Sequence, residues 1–277
     1  MTALLTVEDL HVDFPGKGRG APRVQVLRGV SLSVRPGETL GLVGESGSGK
    51  STLGRAILGL APVRSGTITF AGERLDGLGR RRRRELAREI QVIFQDPYTS
   101  LNPSRTVGDT LAEPLLGQGL SGRAARARVD ELLDRVHLPG GAGERLPREF
   151  SGGQRQRVAI ARALALGPRL VVCDEPVSAL DLTTQKTVLD LLLEIQEQSG
   201  VAYLFVSHDL SVVRFVSHRV AVIHQGEIVE SGPAAVVTAE PSHPYTRALL
   251  LAAPVADVAA QRLRRAAFEQ EYGSAAR

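Results

Sequence analysis

The stretch TLGLVGESGSGKSTL, Thr39 to Leu53, decides how this chain is read. Thr39 to Val43 form an apolar run fit for a buried strand, and the residues from Ser51 onward, STLGRAILGL, read as a helix. Between them, Gly44, Gly47 and Gly49 allow the backbone to curl in ways closed to most residues. A curled loop that opens a helix points consecutive N–H groups at one place, at the positive end of the helix dipole, and so cradles phosphate. The cradle is expected to comprise Gly44, Glu45, Ser46, Gly47, Ser48, Gly49, Lys50, Ser51 and Thr52. Lys50 adds a point charge on β- and γ-phosphates, Ser51 offers its hydroxyl to Mg²⁺, and Thr52 reaches the α-phosphate.

The chain of 277 residues has room for one large domain, or a domain with a smaller appendage. Hydrophobic residues make up 43% and charged residues 23%, the balance of a globular protein. Its apolar runs fall far short of the roughly 20 residues that span a bilayer, so no crossing is expected. Cys173 is the single cysteine and excludes an internal disulfide; with no leader-like start, the cytoplasm is the expected compartment. The net charge is +4, carried mostly by arginine, since Lys17, Lys50 and Lys186 are the only lysines. Arg80 to Arg84 form one basic block, read as the solvated start of a helix. Aromatics, at 4%, do not interleave with basic residues, so no nucleic-acid partner is expected.

Around the cradle, short β-type runs (LTVEDLHVDF, VLRGVSLSV, SGTITFAGERL) make the first eighty residues strand-rich. From Thr106 to Leu138 the period becomes helical, with Val129, Leu132, Leu133 and Val136 on one face. Strand and helix then alternate through RLVVCDEP, TTQKTVLDLLLEIQEQ, VAYLFVSH and DLSVVRFVS. A hairpin, RVAVIHQGEIVESG, is expected to turn at Gln225 and Gly226. Apolar strands alternating with helices imply a parallel sheet covered on both faces.

Three strand ends add chemistry. Asp174 and Glu175 close the strand LVVCDEP: Asp174 is suited to Mg²⁺ through its waters, Glu175 to polarising an attacking water. Neighbours on a strand face opposite ways, so a break in the extended backbone is expected there, as Pro176 suggests. His208 ends VAYLFVSH and can donate to a γ-phosphate, and Gln95 follows another apolar strand within reach of Mg²⁺ or water. In open parallel sheets ligands gather at the carboxyl ends of strands, where Gly44, Asp174 and His208 fall. FSGGQRQRVAIARAL, Phe150 to Leu164, opens a further helix on a glycine pair, a second place suited to phosphate.

In this order the segments resemble the nucleotide-binding subunit of ABC transporters. The resemblance implies an α/β fold: a P-loop NTPase core with a mainly parallel sheet, an antiparallel β subdomain, and a helical subdomain inserted at about 96–165. It implies ATP and Mg²⁺, with Phe14 stacking on adenine, Gln95 in the glutamine loop, Asp174 and Glu175 as the Walker B pair, Asp181 ending the D-loop SALD, and His208 as the switch. Ser151, Gly152, Gly153 and Gln154 are the signature, which in this family contacts the γ-phosphate held by a second, head-to-tail subunit. FQDPYTSLNP, EPVSALD and SHPYTRALL resemble the ATPases of oligopeptide, dipeptide and nickel importers. That likeness divides the chain into a cassette, 1–232, and a C-terminal extension, 233–277. The absence of cysteine beyond residue 173 excludes the iron–sulfur cluster some relatives carry there. It implies two permease subunits, an extracytoplasmic solute-binding protein and a peripheral place on the cytoplasmic face of the membrane. A loop fixed by Pro97, Asn102 and Pro103, with Tyr98 as the aromatic anchor, is expected at the permease contact.

Overall fold

The computed structural model describes residues 2–16, 18, 21–96 and 101–252. Strands β1 (Leu5–Phe14), β2 (Val24–Val34) and β3 (Thr39–Val43) lead into helix α1 (Lys50–Ile57), followed by β4 (Val63–Phe70), β5 (Glu73–Arg74), α2 (Arg80–Glu89) and β6 (Ile90–Ile93). Helices α3 (Val107–Gly117), α4 (Gly122–Arg135) and α5 (Gly152–Leu164) come next, then β7 (Leu170–Asp174), α6 (Leu182–Ser199) and β8 (Ala202–Ser207). Helix α7 (Leu210–Val216), β9 (Arg219–His224), β10 (Glu227–Pro233), α8 (Ala234–Ala239) and α9 (Pro244–Ala252) complete the described chain.

Two compact units share these elements. The first takes the described residues of Met1–Val34, Thr39–Asp76 and Phe205–Arg277, the second Arg35–Glu38 and Gly77–Leu204, so the division falls within β8. In the first unit an antiparallel sheet runs β2-β1-β4-β5, and β3 pairs in parallel with β9, which pairs antiparallel with β10. All five residues of β3 are buried, as the continuous apolar run predicts for a strand covered on both faces. The hairpin turns where expected, with Gln225 and Gly226 at φ of 48° and 85°, two left-handed residues that match the twist of the flanking strands.

In the second unit β6 and β7 pair in parallel, and Leu170 to Cys173 are buried. Helices α3, α4 and α5 pack on one another, and Ala125, Val129, Leu132 and Leu133 form the buried face of α4. Each of the three starts on a hydroxyl that accepts a hydrogen bond from the first turn: Thr106 from Asp109, Ser121 from Ala124, Ser151 from Gln154.

The first strand carries an irregularity that its sequence records. Leu5 and Val7 are buried, and so are Leu10 and Val12, so the apolar positions change from odd to even within one strand. An extended chain alternates faces at every residue, and keeping all four inside needs one inserted residue. The pairing with β2 slips between Val7 and Leu10, Asp9 takes a φ of 47°, and its N–H donates to the Ser31 hydroxyl at 2.9 Å. Gly66 of β4 lies against this bulge with a φ of 92°, where a Cβ would stand 2.3 Å from the Asp9 carbonyl oxygen. Gly66→Ala therefore combines a left-handed alanine with a backbone clash, and is expected to destabilise the protein by about 1–3 kcal/mol. Thermal unfolding measures it, and an unchanged midpoint would contradict the contact.

Candidate functional site

The loop expected to cradle phosphate belongs to the first unit. It begins at Gly44, directly after β3, and ends in the first turn of α1. Two of its glycines are required by close packing: a Cβ on Gly44 would lie 2.2 Å from the Ile223 carbonyl oxygen, and one on Gly49 would lie 2.7 Å from a Leu27 methyl. Gly47 is different, since nothing lies within 4 Å of its missing Cβ; there a φ of 82° asks for glycine. Gly49 stands at the N-cap of α1 with a φ of 110°, and as glycine it offers no side-chain acceptor to the first turn.

Lys50 is 4% exposed, and its ammonium donates to the carbonyl oxygens of Gly44 at 2.7 Å and Glu45 at 2.8 Å. The loop has wrapped around its own cation. The Ser48 hydroxyl is buried and without a hydrogen-bond partner among the described residues, which leaves a donor inside the cradle. An inward cation, a hydroxyl with no partner among the described residues and a helix start on glycine together fit a phosphate chain. The loop is held from outside by the β9–β10 turn, where the Gly226 N–H donates to the Ser48 carbonyl at 3.0 Å. Gly226 itself fits because a Cβ there would stand 2.3 Å from the Val26 carbonyl.

Two further expected residues lie in this unit. Phe14 is half-buried at the end of β1, paired with Val24. His208 is exposed directly after β8, and the next residue, Asp209, caps α7 by accepting from the N–H groups of Ser211 and Val212.

The second unit holds the remaining residues. Its strand β7 ends on Asp174, and Glu175 takes a φ of 48°, the break in extended backbone that the sequence predicts. Both carboxylates are half-buried. The Glu175 carbonyl accepts the N–H and hydroxyl of Ser178, which turns the chain toward the D-loop. Cys173 just before is fully buried, which pushes its thiol pKa up and keeps it protonated. Gln95 is exposed two residues past β6. Tyr98 and its neighbours 97–100 lie outside the described residues.

The signature and the D-loop meet through a residue the sequence reading passed over. Ser151 and Gln154 form a reciprocal cap: Gln154 N–H donates to the Ser151 hydroxyl at 3.3 Å, and Ser151 N–H to the Gln154 side-chain oxygen at 3.0 Å. Asp181 caps α6, accepting the Thr184 N–H at 3.0 Å and its hydroxyl at 2.6 Å. These bonds from Thr184 hold the Asp181 carboxyl below the usual aspartate range. The methyl of the same Thr184 covers Gly153, where a Cβ would be 2.3 Å away. Asp followed three residues later by Thr is a readable cap signal, but its packing on Gly153 is not visible in sequence. Tyr245, in the quoted SHPYTRALL, is the other residue passed over: its hydroxyl accepts the Glu45 N–H at 3.0 Å.

This fold, with its glycine loop around a buried lysine, defines an ATP-binding cassette. A family profile described as ABC transporter matches residues 27–178, and the chain belongs to that family. It is 50% identical over 276 residues to the glutathione import ATP-binding protein GsiA of Salmonella paratyphi A, and to the same degree to that of Escherichia coli K12. The match covers 98% of this chain and 44% of each relative, so the chain spans less than half their length. Among solved structures, cbiO1 from Clostridium perfringens, part of the ABC transporter complex cbiONQ, matches with a TM-score of 0.77 at 28% identity, over 87% of this chain and 92% of that one. The cassette MJ0796, seen as a dimer in a post-hydrolysis state with ADP and Pi, matches at 0.74 and 29%, over 83% and 98%. Among the described residues no helix is long and apolar enough to cross a membrane.

The Thr184 contact makes a prediction. Gly153→Ala should destabilise by about 1–3 kcal/mol through overpacking. Thr184→Ser removes the methyl and keeps the hydroxyl for Asp181, so the double variant should recover most of that loss. A double-mutant cycle by urea unfolding should give a coupling of about 1 kcal/mol or more; additive losses would contradict the contact.

Proposed function

We propose that the chain is the ATP-hydrolysing subunit of an ABC importer whose cargo is a di- or oligopeptide. The observation that carries the reading is the buried Lys50 ammonium, enclosed by loop carbonyls at the mouth of α1 beside the unpartnered Ser48 hydroxyl. The peptide class is supported by 50% identity to relatives named for importing glutathione, a tripeptide, and by the SHPYTRALL segment.

In this reading Lys50 leaves the Gly44 and Glu45 carbonyls for β- and γ-phosphate oxygens, and the loop N–H groups take the remaining oxygens. Phe14 stacks on the adenine. Ser51, Gln95 and Asp174 would hold Mg²⁺. Their oxygens are hard donors, and Mg²⁺ suits a site with few carboxylates because phosphates and retained waters complete its shell. When bound, the ion neutralises charge on the β- and γ-oxygens. Glu175 polarises the attacking water, and its left-handed backbone turns the carboxylate off the alternation of β7. His208 donates to the γ-phosphate.

Ser151, Gly152, Gly153 and Gln154 serve the nucleotide of a second ATPase subunit, related or identical, and Asp181 shapes the D-loop beside them. ATP closes that pair and hydrolysis reopens it, a two-state element biased by a ligand with different contacts in each state. Residues 1–232 act as the cassette and 233–277 as its extension. Two permease subunits receive the motion on the cytoplasmic face of the membrane, and an extracytoplasmic binding protein delivers cargo to them.

Two substitutions test this. Lys50→Ala should lower ATP affinity at least tenfold and abolish turnover while circular dichroism stays unchanged; normal affinity in a folded variant would remove the cradle assignment. Glu175→Gln should keep ATP binding and reduce kcat by about 10²–10⁴-fold, the range for loss of a positioned base. Size exclusion with Mg-ATP should then show a larger species, and wild-type turnover would reject the role of Glu175.

A further inference from the structure

Among the described residues, the extension meets the phosphate loop at the Glu45 peptide, and that peptide is held on both sides. The Glu45 carbonyl accepts the Lys50 ammonium at 2.8 Å, while the Glu45 N–H donates to the Tyr245 hydroxyl at 3.0 Å. The two partners come from segments far apart in sequence, Lys50 from the start of α1 and Tyr245 from the start of α9.

Tyr245 does not arrive there by chance of a loose tail. Its ring lies against that of His224, the last residue of β9, with centroids 3.9 Å apart and planes tilted by 32°. Its N–H donates to His243 Nδ1 at 3.2 Å. The residues before α9 are anchored to β10: the Glu230 carboxylate accepts the Ser242 N–H and hydroxyl, each at 2.8 Å, and the His243 N–H at 3.1 Å. Burial acts to raise the pKa of Glu230, yet Thr246, first, and these donors hold it below the usual range, so the anchor stays ionised at neutral pH. Burial raises the Tyr245 pKa, so its hydroxyl remains neutral there. The same hairpin holds the far side of the loop through Gly226 and Ser48. Hairpin, extension and loop thus form a closed ring of contacts: β9 and β10 seat α9, α9 holds Glu45, and the turn between the strands holds Ser48.

We propose that Tyr245 is a positioning residue for the phosphate loop, fixing the Glu45 peptide from behind, and that it couples the seating of α9 to the binding of a nucleoside triphosphate. The inference rests on the reading of residues 44–52 as the nucleotide cradle. With Glu45 held, the loop keeps its curl when Lys50 turns from carbonyls to phosphate. By linkage, whatever α9 adds to nucleotide affinity, nucleotide returns to the seating of α9. A change in the extension would then alter nucleotide affinity without reaching the phosphates itself.

Tyr245→Phe is the test, because it keeps the ring on His224 and removes the hydroxyl. In the ligand-free full chain, amide hydrogen exchange at Glu45 should accelerate about tenfold while the thermal midpoint stays within about 2 °C. ATP affinity, measured by calorimetry with Mg-ATP, should fall about three- to tenfold, the size of one neutral hydrogen bond. Mg-ATP should slow exchange of the α9 amides in the natural chain and do so less in the variant. Unchanged affinity in Tyr245→Phe overturns the proposal, as does lost affinity with unchanged Glu45 exchange, or α9 exchange indifferent to Mg-ATP in the natural chain. Failure of the natural chain to bind Mg-ATP at all would instead overturn the cradle reading on which the inference rests.

Discussion

A cation inside a protein must be compensated, and the phosphate loop is organised around that requirement. Lys50 is 4% exposed, and removing an ammonium from water without partners costs several kcal/mol or more. Here the partners are main-chain carbonyls, those of Gly44 and Glu45, which can point inward only if the loop doubles back on itself. The doubling-back is what forces glycine at Gly47 and Gly49, with φ of 82° and 110°, and leaves no room for a side chain at Gly44. Carbonyls are weaker partners for a cation than an anion is. A lysine held by the carbonyls of its own loop therefore stands in a site whose partners an anion could replace with advantage.

The same constraint passes outward through the first unit. The curled loop needs support on its outer side, and Gly226 and Tyr245 give it from the β9–β10 turn and from α9. That turn can press on the loop because Gln225 and Gly226 both accept left-handed backbone. The bulge at Asp9 serves a related end in β1, keeping Leu10 and Val12 in the core after the strand has slipped by one residue. In each place a local departure from regular geometry is fixed by a contact distant in sequence.

That distance explains what the sequence makes legible. The loop could be read because its requirements are local: a strand, three glycines, a lysine and a helix within fifteen residues leave few other foldings. The same holds for the hairpin at Gln225 and Gly226, the amphipathic face of α4 and the break at Glu175 before Pro176. Thr184 and Tyr245 could not be read in this way. Thr184 looks like an ordinary partner for a capping aspartate, and its contact with Gly153 depends on how α5 and α6 pack. Tyr245 sits 200 residues from the peptide it holds, and nothing in SHPYTRALL points to Glu45.

The structure gives Asp181, at the end of the D-loop, the work of a helix cap. One carboxylate oxygen accepts the Thr184 N–H and the other its hydroxyl, so both are engaged in starting α6. Those bonds hold the carboxyl in its ionised form, which suits an acceptor and not an acid that must give up a proton. Because Thr184 also covers Gly153, the aspartate fixes the surface against which the signature helix begins. The Ser151 hydroxyl is likewise engaged, accepting from Gln154, and Ser151 N–H donates to the Gln154 side chain. A signature glycine packed under a threonine, and a serine locked in a reciprocal cap, are rigid before any ligand arrives. A helix start ordered in this way would pay little further conformational entropy on contact with a ligand, because its side chains and backbone are already fixed by each other.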